Sequence, residues 1–225
     1  MSWNDWVRGA EIEPSLYAAD FSRLGEQIEA QLGAGCRIFH FDVGDGHFVE
    51  PVTFGPIVLQ SISPIVHAGG GAIDVHLMVE NPAKYFQPIA AAGGDSVTFH
   101  FEAVDDVPGT VAAAHARGLQ AGVAFNPETE PEQVARVAGD ADLVLCMAIH
   151  PGYGGQPFRE ETFGRIERLR AALDGSAHIQ VDGGVGAQNV RPLRVAGATV
   201  LVAGTSVFHR DDPPSAYREL TDLLA

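Results

Sequence analysis

The chain has 225 residues, 46% hydrophobic and 19% charged, a length and mix that fit one α/β unit with a sizeable core. Its formal net charge of −15 excludes the basic patches that nucleic acid and anionic membrane surfaces require, although backbone N–H groups can still hold a small anion. Its two cysteines, Cys36 and Cys146, lie in apolar runs and exclude a disulfide framework or a CxxC metal site.

In chain order, short β-like runs alternate with helical patterns. "EIEPSL" (11–16) precedes a helix opened by Asp20 through "FSRLGEQIEAQLGAG", and "CRIFHFDV" (36–43) leads to a helix near 56–67. "AIDVHLMV" (72–79) is followed by a helix with Asn81 as cap and Pro82 in its first position. "DSVTFHFEA" (95–103) precedes a helix of about 106–117, and "LQAGVAFNP" (119–127) one starting near Pro131. "DLVLCMAIHPG" (142–152) precedes a helix near 159–173, "HIQVDGG" (178–184) precedes "AQNVRPLRVAGA", and "TVLVAG" (199–204) precedes a short turn and the final helix. Eight β–α units with no linker predict a single (β/α)8 TIM barrel over 1–225, with residues 1–10 as an N-terminal extension. An open doubly wound sheet is the alternative, but no GxGxxG sits between the first strand and the first helix. No apolar run reaches the length of a membrane span, and "MSWNDWVRGAEIE" lacks the features of a signal peptide, so a cytoplasmic location is expected.

Residues two apart in a strand share a face. His40 with Asp42, Asp74 with His76 and Met78, and Gln180 with Asp182 therefore point into the barrel, late in their strands, where barrel enzymes keep their chemistry. Two imidazoles and two carboxylates are costly to bury unpaired, and a divalent cation removes the conflict. His40, Asp42, His76 and Asp182 are thus the expected metal site, with zinc first and iron, cobalt or manganese as alternatives. His100 also points inward; His67, His115, His178 and His209 read as surface or helix-end residues. "PGYGG" (151–155), "DGG" (182–184) and "AGTS" (203–206) follow the last three inner strands and predict a phosphate cradle of backbone N–H groups.

At these residues the chain resembles the ribulose-phosphate 3-epimerase family. The likeness runs from about residue 11 to residue 210, through "PSLYAADFSRLG", "HFDVGDGHFV", "DVHLMVENP", "HPGYGGQPF" and "VDGGV". It implies an isomerase that inverts C3 of a ketose phosphate, with ribulose 5-phosphate and xylulose 5-phosphate as the leading pair. It implies a metal held by the same four residues, with Asp42 and Asp182 as the acid/base pair. Ser15, His76, Met78 and Met147 are implied beside the sugar, and Gly152, Tyr153, Gly154, Gly155, Gly183, Gly184, Gly204 and Thr205 around the phosphate. A homo-oligomer is also expected, with no nucleic-acid or membrane partner.

Departures from the family pattern stand at four places. Gly44 replaces a usual methionine and is expected to open space beside the metal. "VEPVT" (49–53) differs from the family's segment, His150 precedes "PGYGG", and Glu13 occupies a normally small position. Other readings stay in view: an epimerase of allulose 6-phosphate or a tetrulose phosphate, or a non-catalytic sugar-phosphate-binding barrel. A Schiff-base aldolase is excluded because the only lysine, Lys84, lies at a helix start away from the strand ends.

Overall fold

Branched and aromatic runs that are apolar on both faces form parallel strands covered by helices. The computed structural model describes residues 2–173, 175 and 177–224. Among these, the eight strands are β1 (Glu11–Pro14), β2 (Ile38–Gly44), β3 (Ala72–Met78), β4 (Ser96–His100), β5 (Gln120–Phe125), β6 (Leu143–Met147), β7 (His178–Asp182) and β8 (Val200–Ala203). All pair in parallel, in the order β1-β8-β7-β6-β5-β4-β3-β2. A single bridge from Ser15 to His40 joins the two ends and makes the sheet a nearly closed barrel.

The helices are α1 (Trp3–Trp6), α2 (Leu24–Gly33), α3 (Pro56–Ala68), α4 (Ala83–Ala91), α5 (Val107–His115), α6 (Pro131–Ala135), α7 (Thr162–Ala172), α8 (Val190–Ala196), α9 (Thr205–Phe208) and α10 (Pro213–Leu224). Several starts follow from sequence chemistry. Pro56 and Pro131 open α3 and α6, where a missing N–H costs nothing, and Asp106 caps α5 by accepting from Gly109 N at 3.0 Å. Asp20 accepts from Ser22 N, but a 3-10 turn over Phe21–Arg23 intervenes before α2. α4 begins one residue later than its sequence suggests, with Pro82 in the capping position and no side-chain cap from Asn81.

The two-residue alternation divides the core. Phe39, Phe41, Val43, Ile73, Val75 and Leu77 point outward and pack under the helices with Leu59, Val66, Phe86 and Ile89. A second cluster runs up the barrel interior, from Ile38, Ala72, Leu143 and Val200 low in the barrel, with Trp3, Trp6 and Val7 beneath them, to Leu145, Ala124 and Met147 nearer the strands' C-terminal ends. The N-terminal extension thus plugs the bottom of the barrel and leaves the strands' C-terminal ends as the open mouth.

Candidate active site

Each inward-facing polar residue is positioned by its strand. β2 carries His40 and Asp42, β3 carries His76, and Asp182 ends β7. Their ligand-type atoms all lie within 4.8 Å of one another. His76 Nδ1 is 3.2 Å from Asp42 Oδ1 and 3.3 Å from His40 Nε2, while His40 Nε2 is 3.3 Å from Asp42 Oδ1 and 4.0 Å from Asp182 Oδ2. Ser15, just past β1, donates its hydroxyl to Asp42 Oδ2 at 2.8 Å. On the far side of His76, Nε2 lies 2.9 Å from His100 Nε2, so one of these two nitrogens carries the proton and the other accepts it.

The two carboxylates sit in unequal surroundings. Burial alone would raise the Asp42 carboxyl, but His40 and His76 beside it carry it well below the usual carboxylate range. Asp182 is raised by burial and by the negative Asp42 next to it, an effect that the histidines only partly offset. Burial pushes the His100 imidazole down to about 4, with His76 adding to the effect, so at neutral pH it is uncharged. His40 and His76 are fully buried, and Asp42 and Asp182 face a cavity of about 920 Å³ at the mouth.

Ser15, Met78, Met147 and the three glycine loops line that same cavity. Gly183 and Gly184 have φ of +113° and +66°, and a Cβ on Gly183 would lie 2.4 Å from Ile149 Cγ1. Glycine is required there by both backbone and space. The loops are also tied to their surroundings. Asn189 donates to Gly184 O at 3.0 Å and Ser206 donates to Val185 O at 2.7 Å, while Gln156 Nε2 reaches His150 O and Tyr153 O, each at 2.9 Å.

The expected ligands, Ser15, the two methionines and the glycine loops gather at this mouth, with His40 and His76 one layer below the cavity lining, whereas Asp74 and Gln180 lie deeper in the barrel. Sequence reasoning passed over Tyr17 and Arg210, which line the cavity. Arg210 was within reach of it: a cation shortly beyond the third glycine loop is a natural partner for an anion. Two local expectations change. Gly44 opens no space, because a Cβ there would meet Pro51 O at 2.7 Å and Val49 Cγ2 at 3.0 Å; the "VEPVT" segment has folded into it. His178 is half-buried at the start of β7, near Thr199 and Asn4, rather than at the surface. His150 and Glu50 are exposed rim residues: His150 pairs with Glu128 at 3.2 Å and Glu50 accepts from Tyr153 OH at 2.7 Å.

Residues 11–208 match the Ribulose-phosphate 3 epimerase family. The ribulose-phosphate 3-epimerase of Escherichia coli (strain K12) is 38% identical over 217 residues, covering 95% of this chain and 96% of the relative. That of Bacillus subtilis (strain 168) is 36% identical, covering 93% and 97%. The chain belongs to the ribulose-phosphate 3-epimerase family. It is therefore an epimerase, an isomerase acting on carbohydrates.

Solved structures show how widely the fold of this epimerase is shared. Orotidine 5'-phosphate decarboxylase from Pyrococcus horikoshii OT3 superposes with a TM-score of 0.69 at 17% identity, covering 95% of this chain and 98% of that one. The 3-hexulose-6-phosphate synthase from Salmonella typhimurium gives 0.69 at 17%, covering 95% and 98%. At such identities the likeness carries the barrel and nothing of the chemistry.

Proposed function

We propose that this epimerase inverts C3 of a pentulose phosphate, interconverting ribulose 5-phosphate and xylulose 5-phosphate, by proton transfer between Asp42 and Asp182. The observation that carries this reading is the convergence of two carboxyls, Asp42 from β2 and Asp182 from β7, on one cavity in a chain that belongs to the epimerase family. Asp42 is held ionised and suits the base; Asp182 keeps its proton to higher pH and suits the acid. Inversion next to a ketone needs that pair, because the proton leaves from one face and another arrives on the opposite one. Ser15, donating to Asp42, holds the base in its rotamer.

The donor set fits a divalent cation. Two imidazole nitrogens face each other at 3.3 Å with a carboxylate oxygen beside both, and such converging lone pairs are otherwise paired only by protons. His40, Asp42, His76 and Asp182 would hold the ion, with zinc the first candidate. When bound, the ion supplies Lewis-acid stabilisation of the negative charge that develops on the sugar oxygens. The glycine loops at 152–155, 183–184 and 204–205 position the phosphate end, and Met78 and Met147 offer an apolar floor beside the reacting carbons.

The test is solvent deuterium exchange at C3, followed by proton NMR for ribulose 5-phosphate, allulose 6-phosphate and a tetrulose phosphate, with metal content measured on each protein. Ribulose 5-phosphate is expected to be preferred at least a hundredfold, about 2.7 kcal/mol in transition-state terms. Asp42→Asn and Asp182→Asn should each lower turnover by about 10²–10⁴-fold. Preference for another sugar would replace the substrate and keep the reaction. Metal-free protein with full activity would remove the ion, and near-normal turnover in either variant would remove that aspartate.

A further inference from the structure

Glu13 departs from the family pattern, and the proposed proton transfer does not use it. It is wholly buried on the barrel axis, directly beneath the histidine–aspartate cluster. The register of the sheet puts Glu13 of β1, Asp74 of β3, Gly122 of β5 and Gln180 of β7 in one interior layer, one residue from each alternate strand. Gly122 contributes no side chain, which leaves the axis to the other three. Gln180 donates through Nε2 to both carboxylates, to Glu13 Oε2 and to Asp74 Oδ2 at 3.1 Å, and Thr98 donates to Asp74 Oδ1 at 3.0 Å.

His40 stands between this layer and the cluster at the mouth. Its Nε2 faces Asp42, His76 and Asp182. Its Nδ1 faces down and lies 3.7 Å from Glu13 Oε1 and 3.7 Å from Asp74 Oδ2. Among the described residues, neither His40 Nδ1 nor Glu13 Oε1 has a hydrogen-bond partner. Both separations exceed hydrogen-bond length, so a proton on Nδ1 is held between two acceptors by charge rather than by one formed bond. The downward nitrogen has only acceptors before it, while the upward one has to offer a lone pair to an ion.

We propose that Glu13 is a positioning residue: with Asp74 it holds the Nδ1–H of His40 and thereby turns the Nε2 lone pair toward Asp42, His76 and Asp182. The role rests on the proposed metal site and extends it one layer down. A histidine ligand is oriented by what its other ring nitrogen meets, and loss of such a partner weakens metal binding about 10- to 100-fold. Gln180 completes the arrangement, because its amide separates two carboxylates that would otherwise repel across the axis. The trio Glu13, His40 and Asp74 brings ligand-type atoms within 4.8 Å and resembles a second cation site. His40 cannot serve it as a neutral ligand, however, while its Nε2 lone pair is directed at the mouth and its proton resides on Nδ1.

Zinc affinity by chelator competition, zinc stoichiometry and the melting temperature of the metal-free protein, measured for wild type, Glu13→Gln and Glu13→Gln/Gln180→Glu, test the assignment. Glu13→Gln should weaken zinc about 10- to 100-fold with no fall in the metal-free melting temperature. The double variant, which returns a carboxylate to the same layer from β7, should recover most of the affinity. Unchanged affinity in Glu13→Gln overturns the proposal. So does a stoichiometry of two that falls to one, which would make Glu13 a ligand. A further arm uses the zinc-loaded wild type: nitrogen-15 NMR should find His40 bound through Nε2, with its proton on Nδ1. Ligation through Nδ1 overturns the role of Glu13 and leaves the metal site standing, whereas a wild type that binds no zinc overturns the metal reading and this role with it.

Discussion

Gly44 lies two residues beyond Asp42 on the inward face of β2, and the loop that follows closes onto it. Thr53 donates its hydroxyl to Asp42 O at 2.8 Å and accepts from Gly44 N at 2.7 Å, which seats Pro51 O where a Cβ would stand. Two departures from the family pattern, Gly44 and "VEPVT", therefore compensate each other. Gly44→Ala should cost about 1–3 kcal/mol, because the neighbour it meets is backbone rather than the flexible end of a side chain. It should also raise KM for a ketose phosphate, since Val49 of the displaced loop packs over Gly152 in the cavity wall. Thermal unfolding and steady-state kinetics check both effects; an unchanged melting temperature would mean that the loop swings away freely. At this scale the sequence was most legible where chemistry and strand period coincide, as in His40 with Asp42. It was least legible at Gly44, because one chain read in order does not reveal which later loop fills a missing side chain's space.

Elements are held at the lower rim by a repeated latch. Asp95, just before β4, accepts through Oδ2 from Ile73 N at 2.9 Å and lies 2.9 Å from His67 Nε2, at the end of α3. Asp142, just before β6, accepts through Oδ2 from Ala121 N at 2.8 Å and lies 2.8 Å from His115 Nε2, the last residue of α5. In each case one carboxylate oxygen ties the preceding strand's backbone to the C-terminal histidine of the helix before it. Asp142→Ala leaves an amide and an imidazole without that acceptor and should cost about 1–3 kcal/mol. Turnover should hold, since the latch lies at the strand starts and the cavity at their far ends; a fall in kcat matching the loss of stability would contradict that separation. The strands and helices themselves were readable because periods of two and of 3.6 differ so clearly in this chain. The latches were not, and neither was Arg165 of α7. Its buried guanidinium donates to Met147 O at 2.8 Å and Asn126 O at 2.7 Å, joining the ends of β6 and β5. Such contacts join residues whose separation in sequence carries no signal.

For the whole molecule, the extension at the N-terminus is an integral part of the barrel. It lies outside the range that matches the family, 11–208, yet Trp3 and Trp6 are buried to 1% and 4% exposure against the lower end of the interior cluster. Their rings meet edge to face at 5.2 Å, and Asn4 Oδ1 lies 3.1 Å from His178 Nε2 at the base of β7. From sequence, "MSWNDWVRGA" offers one short polar–aromatic run with no visible destination, because its partners are inward residues of several different strands. We propose that the chain folds as one unit with this plug included. These are the only two tryptophans in the protein, so intrinsic tryptophan fluorescence reports on the plug alone. Under urea, fluorescence and far-UV circular dichroism should follow one coincident transition. Trp3→Ala should lower stability by about 3–5 kcal/mol and shift the emission of Trp6 to the red, as water enters the space left by the indole. Its kcat/KM should stay near the wild-type value, because the plug and the mouth occupy opposite ends of the barrel. A fluorescence transition that precedes the circular dichroism would instead make the plug a detachable element that leaves before the barrel opens. In that case Trp3→Ala would shift the first transition and leave the second in place.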